Sequence, residues 1–340
     1  MNIASLNQDN KNAVLGVSNS INGNFWNFRF EDDRRALNLS QRLGVPEIIG
    51  RIICGRNIND SEVEDFLDPK LRKLMPDPSC LKDMSKATKR TLDAIINNEK
   101  ISIFGDYDVD GATSSALLVR YFRSINLKVE TYIPDRIKEG YGPNINSIDK
   151  LHKSGSNLII TVDCGTTSYE PIKKAKELGI DLIVLDHHKS DVYLPDAFAI
   201  VNPNRVDDDH DNSNLNSLAA VGVAFLFIVS LNRELKNTGF FGTSKIPDLR
   251  KFLDLVALGT VCDLVPLNNL NRAFVINGLK VIKKRINLGI VALSEVGKIY
   301  EQINSYHLGY ILGPRVNAEG RVGESYLGSQ ILEIEDFNKV

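Results

Sequence analysis

The sequence has little cysteine and no long apolar run, and both absences narrow its class. Only four of its 340 residues are cysteine, and no two of them form a CxxC pair. Neither a zinc ribbon nor a thioredoxin-type redox motif is therefore present. Such wide and irregular spacing is typical of reduced thiols in a cytosolic protein. No stretch approaches the roughly 18–20 apolar residues that a membrane-spanning helix needs.

An excess of charge of one sign is also missing. The chain carries 41 Lys and Arg against 43 Asp and Glu, and 43% of its residues are hydrophobic. This composition is too apolar and too evenly charged for a disordered chain. The N-terminus has no charged start followed by an apolar core, so we expect no secretory signal and a cytoplasmic protein. Any basic surface that binds nucleic acid must be local and balanced by acid elsewhere.

The pattern of apolar residues changes twice along the chain. Residues 1–30 are rich in Asn and Ser, and we expect them to be disordered. Residues 31–98 show helical spacing interrupted by prolines, which predicts a small helical module. From residue 99 onward short apolar runs alternate with helical stretches, and after residue 215 the pattern is mostly helical.

The alternating region predicts an α/β fold. Its short apolar runs predict buried strands at residues 101–104, 129–133, 158–162, 182–185 and 197–201. Predicted helices lie between most of them, at residues 112–125, 145–154 and 169–178. Beyond residue 215 the predicted helices are residues 218–231, 249–258, 273–286 and 291–299. This alternation favours a parallel sheet with helices on both faces.

Carboxylates and imidazoles follow three of these predicted strands directly. In an open parallel sheet, ligands bind beyond the carboxyl ends of the strands. The clusters should therefore meet in one crevice. They are Asp106, Asp108 and Asp110 in GDYDVDG, Asp163 in TVDCG, and Asp186, His187 and His188 in VLDHH.

So much negative charge in one crevice is unfavourable unless cations neutralise it. We therefore predict two divalent metal ions. Because imidazole suits transition metals and carboxylate suits harder cations, Mn²⁺ is favoured and Mg²⁺ remains an alternative. Two such ions assist in-line displacement at phosphorus. No Walker loop or GxGxxG follows the first strand, which argues against a P-loop enzyme.

Each cluster has a structural alternative. A DxD after a strand often caps the next helix, and adjacent histidines are more often a surface or core pair than ligands. Three such clusters at successive strand ends favour a metal site over three coincidences. The Asp- and Asn-rich stretch at residues 202–217 lacks the glycine and the final acid of a calcium loop, so we interpret it as a solvated surface loop.

Longer runs of residues identify a family. IFGDYDVDGATSSALL, LIITVDCGTTS and LIVLDHHK occur in this order and resemble motifs of the DHH phosphoesterase superfamily. YIPDRIKEGYG, LVALGTVCDLVPL and LGPRVNAEGR are similar, more narrowly, to the RecJ family of bacterial single-strand-specific 5′→3′ DNA exonucleases. The resemblance covers roughly residues 33–335.

The resemblance implies a role for each matching residue. It assigns metal binding and catalysis to Asp108, Asp110, Asp163, His187, His188 and Asp263, with Asp163 bridging both metals. Asp106 and Asp186 are expected to orient these ligands. Phosphate and nucleic-acid contacts are assigned to Arg136, Arg315, Asn317 and Arg321, because a guanidinium binds phosphate oxygens bidentately.

The resemblance further implies an exonuclease of DNA repair and recombination acting on single-stranded DNA. Residues 99–310 would form the catalytic domain, and residues 311–340 would begin a connector to a C-terminal domain. That domain carries a GGH-like motif in the family, and no GGH occurs in this chain. A complementing C-terminal polypeptide or a single-strand-binding protein is therefore an expected partner. Two other functions stay open: cleavage of very short oligonucleotides or small phosphate esters, and single-strand binding without catalysis.

Overall fold

The computed structural model describes residues 13–30, 32–208, 215–322 and 325–336, except for the side chains of residues 319–322. Its contacts divide the chain into two units, Met1–Asp68 and Pro69–Val340. We predicted the helical module to extend to residue 98, whereas the contacts place the division between Asp68 and Pro69. Helix Met84–Ile96 groups with the sheet because its buried side chains, Met84 among them, belong to the core cluster that contains the strands.

The first unit is helical where it is described. Its helices are α1 (Asp33–Leu43), α2 (Glu47–Gly55) and α3 (Val63–Leu67). Helix α1 begins where the Asp32 side chain accepts a hydrogen bond from the Arg35 amide at 3.1 Å. The segment before it, predicted to be disordered, lies partly outside the described residues. Its described part has a 3₁₀ turn at Val14–Gly16 and an antiparallel bridge between Ala13 and Asn27.

The second unit alternates helices and strands and then becomes helical. Its five strands are β1 (Ile101–Gly105), β2 (Glu130–Tyr132), β3 (Leu158–Val162), β4 (Asp181–Leu185) and β5 (Ala199–Val201). Its helices are α4 (Leu71–Leu74), α5 (Met84–Ile96), α6 (Val109–Ser124), α7 (Ile145–Lys153), α8 (Tyr169–Glu177), α9 (Ala220–Asn237), α10 (Leu253–Cys262), α11 (Asn269–Ile282), α12 (Leu288–Val296), α13 (Ser305–His307), α14 (Gly313–Val322) and α15 (Leu327–Glu333). Short 3₁₀ turns lie at Pro78–Cys80 and Leu249–Phe252, and a π-helical turn lies at Leu308–Leu312.

The strands form one sheet in the order β2-β1-β3-β4-β5, and every pairing is parallel. This confirms the predicted α/β class. The register aligns the last residues of four strands, since Gly105 pairs with Val162, Val162 with Leu185, and Leu185 with Val201. The residue after each of these four strands therefore stands in one row along the carboxyl edge of the sheet.

Helices cover both faces of this sheet. Ile103, Ile160 and Ile183 belong to one apolar cluster, together with helices α5, α6 and α9. Phe104 and Val184 belong to the other, together with helices α7 and α8. Because successive strand residues point to opposite faces, a continuous apolar strand serves both clusters at once. Among the described residues, no helix combines the length and the apolar character that crossing a membrane requires.

Some predicted boundaries shift for local reasons. The helix predicted from Ala112 begins at Val109, because the Asp108 side chain accepts hydrogen bonds from the amides of the first turn. The helix predicted from Leu249 begins as a 3₁₀ turn, and α10 then continues to Cys262. The longer reach of α10 brings its last turn to the carboxyl edge of the sheet.

Candidate metal centre

The turn between β1 and α6 holds three aspartates. Asp108 caps α6: its Oδ1 accepts hydrogen bonds from the amides of Asp110 at 2.9 Å and Gly111 at 3.0 Å. Gly111 is required here, because a Cβ atom at this position would lie 2.4 Å from the Asp106 carbonyl oxygen. This tight turn directs Asp106 and Asp110 inward, and both are 2% exposed.

Asp110 is bound from the opposite side by helix α9. Its Oδ2 accepts a hydrogen bond from the Ala220 amide at 2.6 Å, and its Oδ1 accepts one from the Val221 amide at 2.9 Å. These amides are at the N-terminus of α9, where the helix dipole also favours an anion. The carboxylate is thereby fixed while its Oδ2 stays 3.7 Å from His187 Nε2.

Asp163 follows β3 in a left-handed backbone conformation, with φ of 60°. Aspartate and asparagine tolerate this region better than most residues. Its side chain is 2% exposed. The Tyr141 hydroxyl donates a hydrogen bond to the Asp163 carbonyl oxygen at 2.9 Å and lies 3.4 Å from His188 Nδ1. Our sequence reasoning did not single out Tyr141, since it lies in a loop remote from any strand end.

The segment after β4 separates the two histidines by depth. His187 is the inner one, with 14% of its side chain exposed, while 49% of the His188 side chain is exposed. Asp186 Oδ1 accepts hydrogen bonds from the amides of both histidines and lies 2.8 Å from His188 Nδ1. Asp186 thus fixes the orientation of His188, and its role of orienting a metal ligand stays a prediction.

Two asparagines hold the histidine backbone in place. Asn202 Nδ2 donates to the His188 carbonyl at 2.8 Å, and Asn204 Nδ2 donates to the His187 carbonyl at 2.6 Å. We did not predict either residue as part of the site. The strand-end rule could have found Asn202, because it directly follows β5 and stands in the same row as Asp106, Asp163 and Asp186.

Asp263 enters the site from helix α10. Close packing of α10 against α6 and α9 brings it there: a Cβ atom at Gly259 would lie 2.3 Å from Thr113 Oγ1 and 3.1 Å from Asp110 Oδ1. One turn later, Asp263 Oδ2 lies 3.7 Å from His187 Nε2. Asp263 therefore joins the carboxylates that follow the strands, although it belongs to no strand.

These side chains form three overlapping sets in which the potential ligand atoms lie within 4.8 Å of one another. The sets are Asp163, His187 and His188; Asp110, His187 and Asp263; and Asp106, Asp108 and Asp163. Asp163 belongs to two of them, and its role as a bridge between two ions stays a prediction. Asp106, for which we predicted only an orienting role, lies in one of these sets as well.

Unpartnered polar atoms show that a cation fits this cluster. Asp106 Oδ1, Asp163 Oδ1, His187 Nε2 and Asp263 Oδ2 are buried and have no hydrogen-bond partner among the described residues. Three of these atoms face one another, since His187 Nε2 lies 3.3 Å from Asp163 Oδ1 and 3.7 Å from Asp263 Oδ2. Buried polar atoms are normally paired, and a divalent cation bound among the three facing atoms would give each of them a partner.

Burial and mutual repulsion of the carboxylates in this cluster also shift their pKa values. Burial, together with the charge of Asp108, raises the pKa of Asp106 to about 7 and that of Asp263 to about 6. Burial and neighbouring carboxylates raise the pKa values of Asp110 and Asp163 well above their usual range. Carboxylates under such mutual repulsion bind cations readily, because a cation stabilises their charged form.

The two histidines shift in opposite directions. Burial lowers the pKa of His187, so its imidazole is held neutral, which is the form that binds metals. The hydrogen bond to Asp186 raises the pKa of His188. His188 is therefore the imidazole that carries a positive charge more readily at the exposed side of the cluster.

The four residues predicted to contact nucleic acid differ in how the structure places them. The Arg136 guanidinium lies 5.0 Å from the centre of the Tyr107 ring, between Asp106 and Asp108 in sequence, and the residue is exposed. Arg315 Nη1 donates to the Ile311 carbonyl at 2.8 Å. Asn317 lines a pocket together with Val109 and Cys262, which are sequence neighbours of candidate metal ligands. The side chain of Arg321 lies outside the described part of the chain.

This pocket has a volume of about 440 Å³. It is lined by Val109, Cys262, Gly309, Gly313, Pro314, Asn317 and Ala318. Val109 stands between Asp108 and Asp110 in sequence, and Cys262 directly precedes Asp263. Two lining residues are therefore sequence neighbours of candidate metal ligands, and the other five lie in the segment that leads into α14 or in α14 itself.

We expect Asp186→Asn to lower the pKa of His188, because the substitution removes the carboxylate that stabilises the charged imidazole. Loss of an orienting partner should also weaken metal binding roughly 10- to 100-fold. An NMR titration of the imidazole protons and a Mn²⁺ binding isotherm measure the two effects. Asp191→Asn removes the same charge from the same loop, at a carboxylate that accepts a hydrogen bond from the Tyr169 hydroxyl. An unchanged His188 titration in Asp186→Asn would contradict this role.

Comparison with known proteins finds a family model and several exonucleases to which this chain is similar. Residues 100–260 match the model of the DHH family, N-terminal domain. The chain is 36% identical over 313 residues to the single-stranded-DNA-specific exonuclease RecJ of Bacillus subtilis, covering 92% of this chain and 38% of that protein. It is 36% identical over 300 residues to RecJ of Escherichia coli, covering 87% of this chain and 51% of that protein. The chain thus spans about half or less of the length of these relatives.

Solved structures of RecJ proteins are also similar to this chain. A crystal structure of exonuclease RecJ bound to manganese superposes with a TM-score of 0.67 at 31% identity, covering 78% of this chain and 63% of that one. RecJ of Thermus thermophilus in complex with Mn²⁺ gives a TM-score of 0.74 at 27% identity, covering 91% and 42% respectively. The same Thermus protein has also been solved with Mg²⁺. Both metals predicted for this chain therefore occur in related structures.

Proposed function

We propose that this chain is the catalytic part of a single-stranded-DNA-specific 5′→3′ exonuclease, because residues 100–260 match the model of the DHH family and the chain is similar to RecJ over about nine-tenths of its length. The observation that carries the proposal is the cluster of unpartnered carboxylate and imidazole atoms at the carboxyl edge of the sheet. We propose that this exonuclease acts in DNA repair and recombination in the cytoplasm. A single-strand-binding protein or a complementing polypeptide as partner stays a prediction.

Asp108, Asp110, Asp163, His187 and Asp263 would hold two divalent ions, with Asp106 as a further oxygen ligand and Mn²⁺ favoured over Mg²⁺. When bound, such ions stabilise charge on the phosphoryl oxygens and activate water for in-line displacement. The protein supplies a rigid set of ligands, because helix α9, the α6 cap and the asparagines behind the histidines fix them before substrate arrives.

His188 is the side chain best placed to meet the scissile phosphate. Its Nδ1 is engaged by Asp186, while about half of the side chain faces solvent. A charged imidazole held in this way donates a hydrogen bond to a phosphate oxygen and stabilises the charge that develops there. His188 could also complete the metal-ligand set with Asp163 and His187.

The test is cleavage of matched substrates by the purified chain with Mn²⁺. A 5′-phosphorylated single strand should release mononucleotides from its 5′ end, and the same sequence in a blunt duplex should resist. A strong preference for dinucleotides would instead indicate an enzyme for very short oligonucleotides. Salt-sensitive binding without cleavage would indicate a non-catalytic single-strand-binding protein.

Arg136→Ala should weaken substrate binding more than turnover. Arg136 is exposed beside Tyr107, and among the described residues no carboxylate forms an ion pair with it. Its guanidinium is therefore available to a backbone phosphate. We expect a higher KM at nearly constant kcat, and a salt dependence of binding that decreases by about one counterion.

Arg233→Ala is the matched control for this prediction. Arg233 is exposed near the end of α9 and pairs with Asp77. At 1.5 Å per residue it lies roughly 20 Å along the helix from the Asp110 contact. Equal salt dependence in the two variants would show that Arg136 makes no phosphate contact.

A further inference from the structure

Two exposed tyrosines lie stacked on each other just before helix α14. The ring centres of Tyr306 and Tyr310 are 5.1 Å apart with an interplanar angle of 29°. Their exposed fractions are 60% and 71%. Among the described residues, neither hydroxyl makes a hydrogen bond. The pair is thus a preformed aromatic surface that stays exposed within the described part of the chain.

This surface continues into the pocket of about 440 Å³. Tyr306, Tyr310, Pro314 and Ala318 recur every four residues, and such residues form one ridge along a helix. Pro314 and Ala318 line the pocket. The two tyrosines therefore extend the pocket wall by about two turns, away from α14.

The segment that carries the tyrosines packs against Cys262, the residue before Asp263. The Cys262 thiol donates to the Leu308 carbonyl at 3.4 Å, and a Cβ atom at Gly313 would lie 2.5 Å from Cys262 Sγ. Cys262 directly precedes Asp263. Tyr310 lies within a π-helical turn, a conformation found frequently at functional sites. The tyrosine pair is consequently held in a fixed position relative to the metal ligands.

We propose that Tyr306 and Tyr310 form a stacking platform for unpaired bases of a single-stranded nucleic acid whose terminal phosphodiester lies at the metal-ligand cluster. The proposal rests on the proposed nuclease function. Every base has a π-face, so aromatic stacking gives affinity without sequence preference. Bases inside a duplex are already stacked and paired, so such a platform also favours single strands over duplexes.

The test compares Tyr306→Ala and Tyr310→Ala with Tyr310→Phe and Tyr300→Ala. Phenylalanine keeps the ring, and Tyr300 is 92% exposed but does not belong to the four-residue row. Binding of a fluorescent, 5′-phosphorylated single-stranded oligodeoxynucleotide is measured by anisotropy across a salt series, without divalent metal so that no cleavage occurs. A second oligonucleotide of equal length has abasic sites in its first several positions.

We expect each alanine variant in the row to weaken binding between about fivefold and a hundredfold, and Tyr310→Phe to restore it. The salt dependence should not change, because stacking releases no counterions. The abasic oligonucleotide should bind parent and variants equally. Equal affinity of Tyr310→Ala and Tyr300→Ala would overturn the platform and leave the nuclease intact. Failure of the parent chain to bind the single strand would overturn both.

Discussion

Asp163→Asn is expected to reduce cleavage of a 5′-phosphorylated single strand by at least about a hundredfold to a thousandfold, the loss that follows removal of one electrostatic catalytic group. Asp163 belongs to two of the three sets of potential ligands, so one substitution would disturb the ligands of both proposed ions. Asparagine keeps the shape of the side chain and tolerates the positive φ. The loss should therefore appear in turnover and metal binding, measured by single-turnover kinetics and a Mn²⁺ binding isotherm.

Asp196→Asn is the control for Asp163→Asn. It makes the same chemical change at a carboxylate whose side chain is 80% exposed and pairs with Lys176. We expect near-parental cleavage and metal binding from it. Retained Mn²⁺ affinity in Asp163→Asn would remove Asp163 from the metal centre, and retained cleavage would refute the proposed mechanism.

Without metal, the chain should become less stable as the pH rises from about 4 to above 7. The pKa of Asp106 is raised to about 7 and that of Asp263 to about 6, against about 3.9 for an unfolded aspartate. The folded state then holds protons that the unfolded state has released, so the free energy of unfolding falls across this window. His188, with a raised pKa, acts in the same direction, whereas His187, with a lowered pKa, partly opposes it.

Mn²⁺ should reverse this loss, and its effect should grow with pH. The measurement is the melting temperature at pH 5, 6, 7 and 8 with and without Mn²⁺, where 1 kcal/mol corresponds to roughly 2–4 °C for a domain of this size. Asp163→Asn should melt higher than the parent at pH 8 without metal, since one buried charge is gone, yet gain little from Mn²⁺. A metal-free melting temperature that is flat or rising between pH 5 and 8 would contradict the proposed crowding of charge.

The sequence alone could predict the position of most residues in this cluster, because parallel strands bring the residues that follow them to the same edge of the sheet. Once β1, β3 and β4 are predicted to belong to one parallel sheet, the residue after each strand must stand at the same edge. The aligned register of Gly105, Val162 and Leu185 then puts Asp106, Asp163 and Asp186 in one row. No tertiary information beyond the strand pattern was needed for these residues.

Asp263 could not be placed in this way. It lies after a helix, and helix packing is set by side-chain shape rather than by a periodic pattern. Only the family resemblance pointed to it. The physical signal was nevertheless in the sequence: Gly259, four residues earlier, allows α10 to approach Thr113 and Asp110 closely. The depth difference between His187 and His188 was likewise beyond sequence reasoning, since both follow the same strand.

The bond between Asp110 and helix α9 has a practical consequence. The peptide N–H groups of Ala220 and Val221 donate hydrogen bonds to the Asp110 carboxylate, which also faces His187. Any change in the charge of Asp110, whether by protonation or by a bound cation, alters the polarisation of those N–H groups. Their amide resonances are therefore a built-in indicator of metal occupancy, readable without touching a single ligand and separate from any measurement of catalysis.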